Sequence, residues 1–208
     1  MIREFRKPGT RLAFLASHNG SSMRAIVEAG RKGQFRTEPV LVISNNRDSA
    51  ALTWAKANKI PASHISATTA GSDAAADAAI AAALSMAGTD LVILSGYMRK
   101  LGPETLGLFK NRILNVHPAL LPKFGGTGMY GQKVHEAVIA AGETESGCTI
   151  HVVDAEYDHG PVVAQARIPV EPGDTCETLA ARVQAREQTL YPETLKRIFA
   201  GEIDLDRL

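Results

Sequence analysis

The order of apolar and amphipathic segments constrains the fold of this chain more than any other feature of its sequence. Apolar runs of strand length alternate with longer stretches of helical character, beginning with RLAFLAS before SSMRAIVEAGRKG and PVLVISN before RDSAALTWAKANK. The alternation continues through SHISA, an Ala-rich stretch, DLVILSG and RILNVHP. Because the runs are continuously apolar, both faces of each strand should be covered. The sequence therefore predicts an α/β fold, a Rossmann-like, doubly wound and mostly parallel sheet with helices on both faces.

The pattern changes in the C-terminal part of the chain. GMYGQKVHEAVIAAG has helical character, whereas SGCTIHVVD and GPVVAQARIPV alternate like a hairpin. These two strands predict an antiparallel addition to the sheet. A long helical segment follows, in which Asp174 or Thr175 is expected to cap the start and Pro192 to kink the helix or divide it into two.

Composition and charge narrow the class of protein. The 23 basic and 22 acidic residues are mixed along the chain, which gives no general field for nucleic acid or a membrane surface. Cys148 and Cys176 fit neither a disulfide framework nor a Cys-based metal site, which favours a reducing compartment. The first ten residues lack the apolar core of a secretory signal, and the Ala-rich stretch is short of the ~20 apolar residues that span a membrane. We expect a soluble cytoplasmic protein.

The segment LASHNGSSMRAI predicts a place where an anion binds. A strand ends near Ser17, a polar turn with Gly20 follows, and a helix is expected to begin near Ser21 or Ser22. Free backbone N–H groups and the positive end of the helix dipole would then face the strand end, which suits a phosphate. The alternative is an ordinary turn whose serines cap the helix. Neither GxGxxG nor GKS is present, so a dinucleotide is not favoured.

A second candidate site lies in ILNVHPALLPKFGG, where a strand-like run ends in polar residues. Asn115 and His117 are two positions apart and so share one face of that strand, and Pro118 fixes the chain direction beyond it. A histidine at the carboxyl end of a strand, with an amide beside it, can polarise a carbonyl and stabilise an oxyanion. The alternative is a buried histidine bonded to a neighbouring carbonyl.

The segment HVVDAEYDHGPVVAQ places several carboxylates in an expected loop between two strands. A carboxylate brought close to His117 would raise the pKa of that imidazole and keep it able to donate a proton. One alternative is a solvated acidic loop with a Gly-Pro turn. Another is a metal site, for which the possible ligands are His151, Asp154, Asp158 and His159. Their spacing matches no established metal pattern, so we predict no metal.

Taken in order, these segments resemble the folate-dependent formyltransferases. The resemblance is carried by SHNGSSMRAI, SGYMRKL, ILNVHPALLPKFGGTGMYG, TIHVVDAEYDHGPVVAQ and ARVQAREQTLYP, which lie between about residues 11 and 200. NVHPALLP followed by a D-x-G-P turn is typical of the superfamily, and the GGTGMYGQKVHEAV and RVQAREQTLYP segments indicate the branch that acts on glycinamide ribonucleotide. The resemblance implies transfer of a formyl group from 10-formyltetrahydrofolate to the amine of that ribonucleotide, in de novo purine biosynthesis, without a metal.

By motif, the resemblance assigns catalysis to Asn115, His117 and Asp158. Asn115 and a protonated His117 would stabilise the tetrahedral oxyanion, while Asp158 would hold His117 cationic and help relay protons. The resemblance also implies two binding sites. The backbone of Gly20, Ser21 and Ser22 would bind the phosphate, and Glu187 would accept from the ribose hydroxyls. The pteridine ring would lie against Asn115, against Met98, Arg99, Lys100 and Leu101, and against the loop of Asp154, Ala155, Glu156, Tyr157 and Asp158.

This organisation is expected within a single domain over residues 1–208. Its phosphate-binding half would span about 10–110, and its catalytic and folate-binding part about 111–200. The partners implied are small molecules, with no nucleic acid and no membrane, and the protein is expected to be a monomer or homodimer.

The chain departs from the family pattern at several positions, which makes the identity of the acceptor less secure than the type of reaction. His18 and Ser22 stand where the family commonly has Gly and Asn, and TTAGSDAAADAA lacks an Arg that some members use to meet ligand charge. The alternatives are a formyltransferase acting on an amino sugar nucleotide or a methionyl-tRNA, a formyltetrahydrofolate hydrolase, and a non-catalytic folate or nucleotide binder. The tRNA and hydrolase branches normally carry further domains, and a binder would not need all of Asn115, His117 and Asp158.

Overall fold

The computed structural model describes residues 9–208, which form a seven-stranded sheet with helices on both faces. The expectation about a secretory signal falls largely on residues 1–8, which lie outside this range. In chain order the elements are β1 (Thr10–Leu15), α1 (Ser21–Arg31), β2 (Thr37–Ser44), α2 (Ala50–Ala57), β3 (Ala62–His64), α3 (Ala67–Ala70), α4 (Asp73–Met86), β4 (Leu91–Leu94), α5 (Pro103–Leu108), β5 (Ile113–His117), α6 (Gln132–Ala140), β6 (Glu145–Val152), β7 (Val162–Pro169) and α7 (Cys176–Phe199).

The strand order is β3-β2-β1-β4-β5-β6-β7. The first five strands of this order are parallel, whereas β6 runs antiparallel to both β5 and β7. The predicted doubly wound sheet with an antiparallel C-terminal addition is therefore confirmed. Because the chain moves outward from β1 in both directions, the order reverses between β1 and β4, and ligands in such sheets bind beyond the strand ends at that point.

The apolar side chains form two cores, one on each face of the sheet. One contains Phe14 and Leu114 together with the buried sides of α1 and α7, and the other contains Leu15 and Ile113 with the buried side of α4. The continuous apolar runs of the central strands are explained by this double cover. No helix within residues 9–208 combines the length and the apolar character that a membrane crossing requires.

Helix α7 corrects one prediction. It begins after Thr175, which caps it through a capping box with Thr178, and continues unbroken to Phe199. Pro192 lies inside this helix and is buried. Of the two expected effects of Pro192, the division into two helices is therefore wrong, and a kink stays a prediction. A proline removes one helical hydrogen bond, but buried side chains on both sides of it, such as Tyr191 and Leu195, anchor the helix to the core.

Candidate active site

Strands β5 and β6 bring four polar side chains to one face of the sheet. Asn115 and His117 are two positions apart on β5, and the antiparallel register sets Asn115 opposite His151 and His117 opposite Thr149. Residues directly opposite each other in a sheet point to the same face. A polar cluster therefore forms at the carboxyl end of β5, where the parallel part of the sheet meets the antiparallel addition.

His117 has acceptor atoms on both sides of its ring. Its Nε2 lies 2.7 Å from the carbonyl oxygen of Phe124, and its Nδ1 lies 3.3 Å from Oδ2 of Asp158. Since a carbonyl and a carboxylate only accept, both contacts are hydrogen bonds only when both ring nitrogens carry a proton. The partners of His117 thus favour the imidazolium. The alternative of a buried histidine bonded to a nearby carbonyl accounts for the contact with Phe124 but not for the contact with Asp158.

Burial opposes those partners. His117 is 3% exposed, and this desolvation lowers its pKa below the ordinary value, although Asp158 and the Phe124 carbonyl both raise it. The expectation that a nearby carboxylate would raise the pKa of His117 is correct for the contribution of Asp158 and wrong for the net shift. In the free protein, His117 is therefore harder to protonate than an exposed histidine.

Asp158 is held in place by the loop between β6 and β7. Its φ of 55° is in the left-handed region, where a residue other than glycine needs support from its surroundings. Its Oδ2 accepts from the N–H of Gly126 at 3.0 Å, and its Oδ1 lies 3.5 Å from Nε2 of His151. Burial raises the pKa of Asp158, but His151, His117 and the Gly126 N–H outweigh it and lower the pKa below its ordinary value. The carboxylate is ionised at neutral pH.

His151 belongs to this cluster, although sequence reasoning considered it only as a metal ligand. Its Nε2 lies 3.1 Å from Nδ2 of Asn115, and its Nδ1 is 3.0 Å from the carbonyl oxygen of Val152. The imidazole therefore fixes the orientation of the Asn115 amide and also touches the carboxylate of Asp158. A histidine on the strand that follows the Asn115–His117 segment was the available signal, but its partner depends on the strand register.

The turn after β1 lies at the same edge of the sheet. Asn115 pairs with Leu94 and Leu94 with Leu15, so the turn starts two strands away from Asn115, a distance of about 10 Å. Helix α1 begins at Ser21 after Gly20, whose φ is 63°. Gly20 at the N-cap position offers no capping side chain, so the alternative in which serines of the turn cap the helix is wrong. The hydroxyl of Ser95 accepts from the N–H of Met23, and the N–H groups that precede Met23 at this helix start suit an anion.

Buried hydroxyl groups tie this turn to the segment after β4. The hydroxyl of Ser17 accepts from the N–H of Met98 at 2.7 Å and donates to Oδ1 of Asn45 at 2.6 Å. The hydroxyl of Ser95 accepts from the N–H of Met23, in the first turn of α1, at 3.0 Å. The two segments that were predicted to bind different ligands therefore share one hydrogen-bonded frame. Sequence reasoning missed Ser17 and Asn45, since neither belongs to a local motif.

The two predicted pteridine-binding segments come together. Nζ of Lys100 lies 5.5 Å from the ring centroid of Tyr157, a cation–π contact between the segment after β4 and the loop after β6. Leu101 is buried, whereas Met98 and Tyr157 are each about half exposed. Apolar surface is thus available beside the polar cluster. Arg99, Ala155 and Glu156 lie on exposed parts of the same two segments.

Glu187 lies in the middle of α7 and is partly buried. Desolvation raises its pKa to about 7, from an ordinary value of 4.5. The partial burial of Glu187 argues against a fully solvated helix face. A cavity of about 520 Å³ between α1 and α7 is lined by Ser21 of the turn and by Gln188, the residue that follows Glu187.

The four residues considered as metal ligands separate into two pairs. His151 faces Asp158, whereas the exposed His159 is 3.0 Å from Asp154 through its Nδ1. Within the described part of the chain, no group of three or more His, Cys, Asp or Glu side chains is placed to hold a metal ion.

Comparison with known proteins agrees with this geometry. The family described as Formyl transferase matches residues 10–195. Phosphoribosylglycinamide formyltransferase of Haemophilus influenzae is 34% identical over 94% of this chain and 90% of its own length. The chloroplastic phosphoribosylglycinamide formyltransferase of Arabidopsis thaliana is 40% identical over 90% of this chain, which spans 65% of that relative's length.

Solved structures share the fold. Glycinamide ribonucleotide transformylase 1 from Symbiobacterium toebii superposes with a TM-score of 0.86 at 37% identity, covering 93% of this chain and 89% of its own. The likeness in fold thus covers nearly the whole chain.

Proposed function

The chain belongs to the formyl transferase family, and we propose that it transfers the formyl group of 10-formyltetrahydrofolate to the amine of glycinamide ribonucleotide in de novo purine biosynthesis. One observation carries the proposal. The His117–Asp158 pair lies beside Asn115 at the same sheet edge as the turn whose N-cap is Gly20. The strand ends that carry the two sites are about 10 Å apart, and such an arrangement suits a small phosphorylated amine with one end on each site.

The reaction is an acyl transfer without a covalent enzyme intermediate. The free amine attacks the formyl carbon, a C–N bond forms, and negative charge develops on the formyl oxygen. The bond between that carbon and the folate nitrogen then breaks, as the proton lost by the amine passes to the departing nitrogen. The products are the formylated amine and tetrahydrofolate, so atoms and electrons balance without a further reactant.

In this proposal His117 and Asn115 stabilise the developing oxyanion. Nε2 of His117 already donates to a carbonyl oxygen, that of Phe124, and we infer that the formyl oxygen takes this position when the substrates bind. Burial lowers the pKa of His117, so negative charge that develops beside its ring favours the protonated form. Asp158 supports that protonation at Nδ1 and relays protons from the amine.

The ligands are proposed to lie on either side of this cluster. The backbone of Gly20, Ser21 and Ser22 binds the phosphate, and Glu187 accepts from the ribose hydroxyls. The pteridine lies against Asn115 and between two segments, which comprise Met98, Arg99, Lys100 and Leu101 on one side and Asp154, Ala155, Glu156, Tyr157 and Asp158 on the other. Support comes from the contact of Lys100 with Tyr157, which joins these segments.

The setting of the reaction is also part of the proposal. We propose a cytoplasmic protein in which one domain, residues 1–208, holds both small-molecule substrates, and which acts as a monomer or homodimer. The thiols of Cys148 and Cys176 are free, which suits a reducing compartment.

The test is an activity assay with purified protein, 10-formyltetrahydrofolate and glycinamide ribonucleotide, following the release of tetrahydrofolate. We expect turnover that requires the acceptor and is lost in His117→Ala, while folate binding remains. His64→Ala is the control, because it removes a partly buried histidine from β3, at the edge of the sheet away from β5. Folate consumption without acceptor would identify a hydrolase, and binding without turnover would identify a binder; either result contradicts the proposal.

A further inference from the structure

The side chain of Arg24 carries a positive charge that the described protein leaves without an acidic partner. Nη2 donates one long hydrogen bond, 3.3 Å, to the carbonyl oxygen of Ala50, and the guanidinium lies 5.7 Å from the ring centroid of Trp54. Its Nε is buried and has no hydrogen-bond partner within residues 9–208. A partly buried donor that lacks an acceptor is unfavourable by itself. The group is therefore suited to an anionic ligand.

The guanidinium lies next to the turn that is proposed to bind phosphate. Arg24 is in the first turn of α1, and helical side chains lean toward the N-terminus of their helix. Its partner Ala50 precedes Ala51, whose N–H donates to the carbonyl oxygen of His18 at 2.9 Å. A Cβ added to Gly20 would lie 3.2 Å from Cβ of Ala51. The start of α2 thus holds the guanidinium beside the phosphate turn.

A cavity connects the guanidinium with the rest of the acceptor site. The space of about 520 Å³ between α1 and α7 is lined by both Ser21 and Arg24, and on the other side by Gln188. A ligand whose phosphate sits on the turn can therefore reach Arg24 without crossing protein. Glu28 and Glu193 also line this cavity; Glu193 is already paired with Arg186 at 2.8 Å.

We propose that Arg24 binds the phosphate of the acceptor and so helps to select a phosphorylated amine, an inference that rests on the proposed function. The N-terminus of a helix offers roughly half of one positive charge, whereas a phosphate monoester carries nearly two negative charges. A guanidinium forms strong, charge-assisted hydrogen bonds to phosphate oxygens. Arg24 provides the additional charge and takes the phosphate as the acceptor for its Nε.

The test compares Arg24→Gln with Arg31→Gln. Arg31 is on the same helix, also faces Trp54 at 6.0 Å, and donates to Asn58 at 2.7 Å, so its substitution removes the same charge at a distance from the turn. For Arg24→Gln we expect the KM for glycinamide ribonucleotide to rise about ten-fold or more, with kcat and the KM for folate unchanged. Arg31→Gln should leave all three constants unchanged, and Arg24→Lys should lie between Arg24→Gln and the parent protein.

Inorganic phosphate gives a second measurement. It should inhibit the parent enzyme in competition with the acceptor, and this inhibition should be about ten-fold weaker in Arg24→Gln. If the parent protein does not formylate glycinamide ribonucleotide, the proposed function itself fails. If it does, an unchanged acceptor KM and unchanged phosphate inhibition in Arg24→Gln overturn the role of Arg24. Equal rises in the KM of both substrates would show a purely structural role and would overturn it as well.

Discussion

Oδ2 of Asp158 lies 3.3 Å from Nδ1 of His117, and this contact joins a strand end to a loop that strand β6 separates from it in sequence. Each group shifts the other toward its charged form, since the carboxylate raises the pKa of the imidazole and the imidazole lowers the pKa of the carboxylate. Burial acts against both charged forms. The protonation of His117 therefore depends both on its burial and on the charge of Asp158.

Replacing Asp158 tests this dependence. Because the carboxylate raises the pKa of His117, Asp158→Asn should lower that pKa further, and the imidazolium should persist only at lower pH. We expect kcat to fall about 10²-fold or more. The pH above which kcat declines, because His117 loses its proton, should also move to a lower value. The measurement is kcat as a function of pH. Asp206→Asn, which removes a carboxylate paired with Arg112 outside the site, is the control, and an equal loss in that variant would count against the role of Asp158.

Much of this arrangement is predictable from local pattern. Asn115 and His117 share a strand face because their spacing is two, and the helix after Gly20 begins at Ser21, as the turn residues indicated. The position of His151 was not predictable, because it follows from the register between β5 and β6, a non-local property. The net shift of the pKa of His117 depends on burial depth, which local sequence does not specify. The same applies to Pro192, where packing of α7 outweighs a local helix-breaking tendency.

The hydroxyl of Ser17 should support folate binding without touching the folate. Ser17→Ala leaves the N–H of Met98 and the amide of Asn45 without their partner in a partly buried place, so we expect a loss of about 1 kcal/mol in the free energy of unfolding and a raised KM for folate. Ser72→Ala removes the N-cap of α4 and should lose about 1 kcal/mol with no change in the folate KM. Urea unfolding and steady-state kinetics on both variants separate the two effects. An unchanged folate KM in Ser17→Ala would refute the proposed link between the Ser17 hydroxyl and folate binding.

Gly20 is needed for its close contacts as well as for its backbone conformation. An added Cβ would lie 2.9 Å from Cε of Met23 and 3.2 Å from Cβ of Ala51, at a φ of 63°. Gly142 has a φ of 65° and nothing within 4 Å of the corresponding position, so Gly142→Ala measures the backbone strain alone. We expect Gly20→Ala to be less stable than Gly142→Ala by about 1–3 kcal/mol, and to raise the KM for the phosphorylated acceptor. If the two variants are equally stable, Met23 and Ala51 move aside for the added Cβ without cost, and the prediction is wrong.

Glu187 should make the stability of the protein depend on pH. Its pKa of about 7 in the folded state exceeds the ordinary 4.5, so the folded state holds a proton that the unfolded chain releases. The stabilisation is complete below the unfolded pKa and is lost as pH rises to the folded pKa, by up to about 3 kcal/mol at 1.36 kcal/mol per unit.

Glu187→Gln should abolish this loss, so that the variant is more stable than the parent at pH 8 and close to it at pH 4.5. Glu28→Gln, an exposed position on α1, should leave the pH dependence unchanged. Urea unfolding across this range measures the difference directly.

The same carboxylate is proposed to accept from the ribose hydroxyls, which requires its ionised form at working pH. If Glu187→Gln stabilises the free protein above pH 7 and also raises the acceptor KM, then Glu187 is kept at a cost in stability that substrate binding offsets. A parent and variant with parallel stability profiles would show instead that the carboxylate is well solvated in the folded protein.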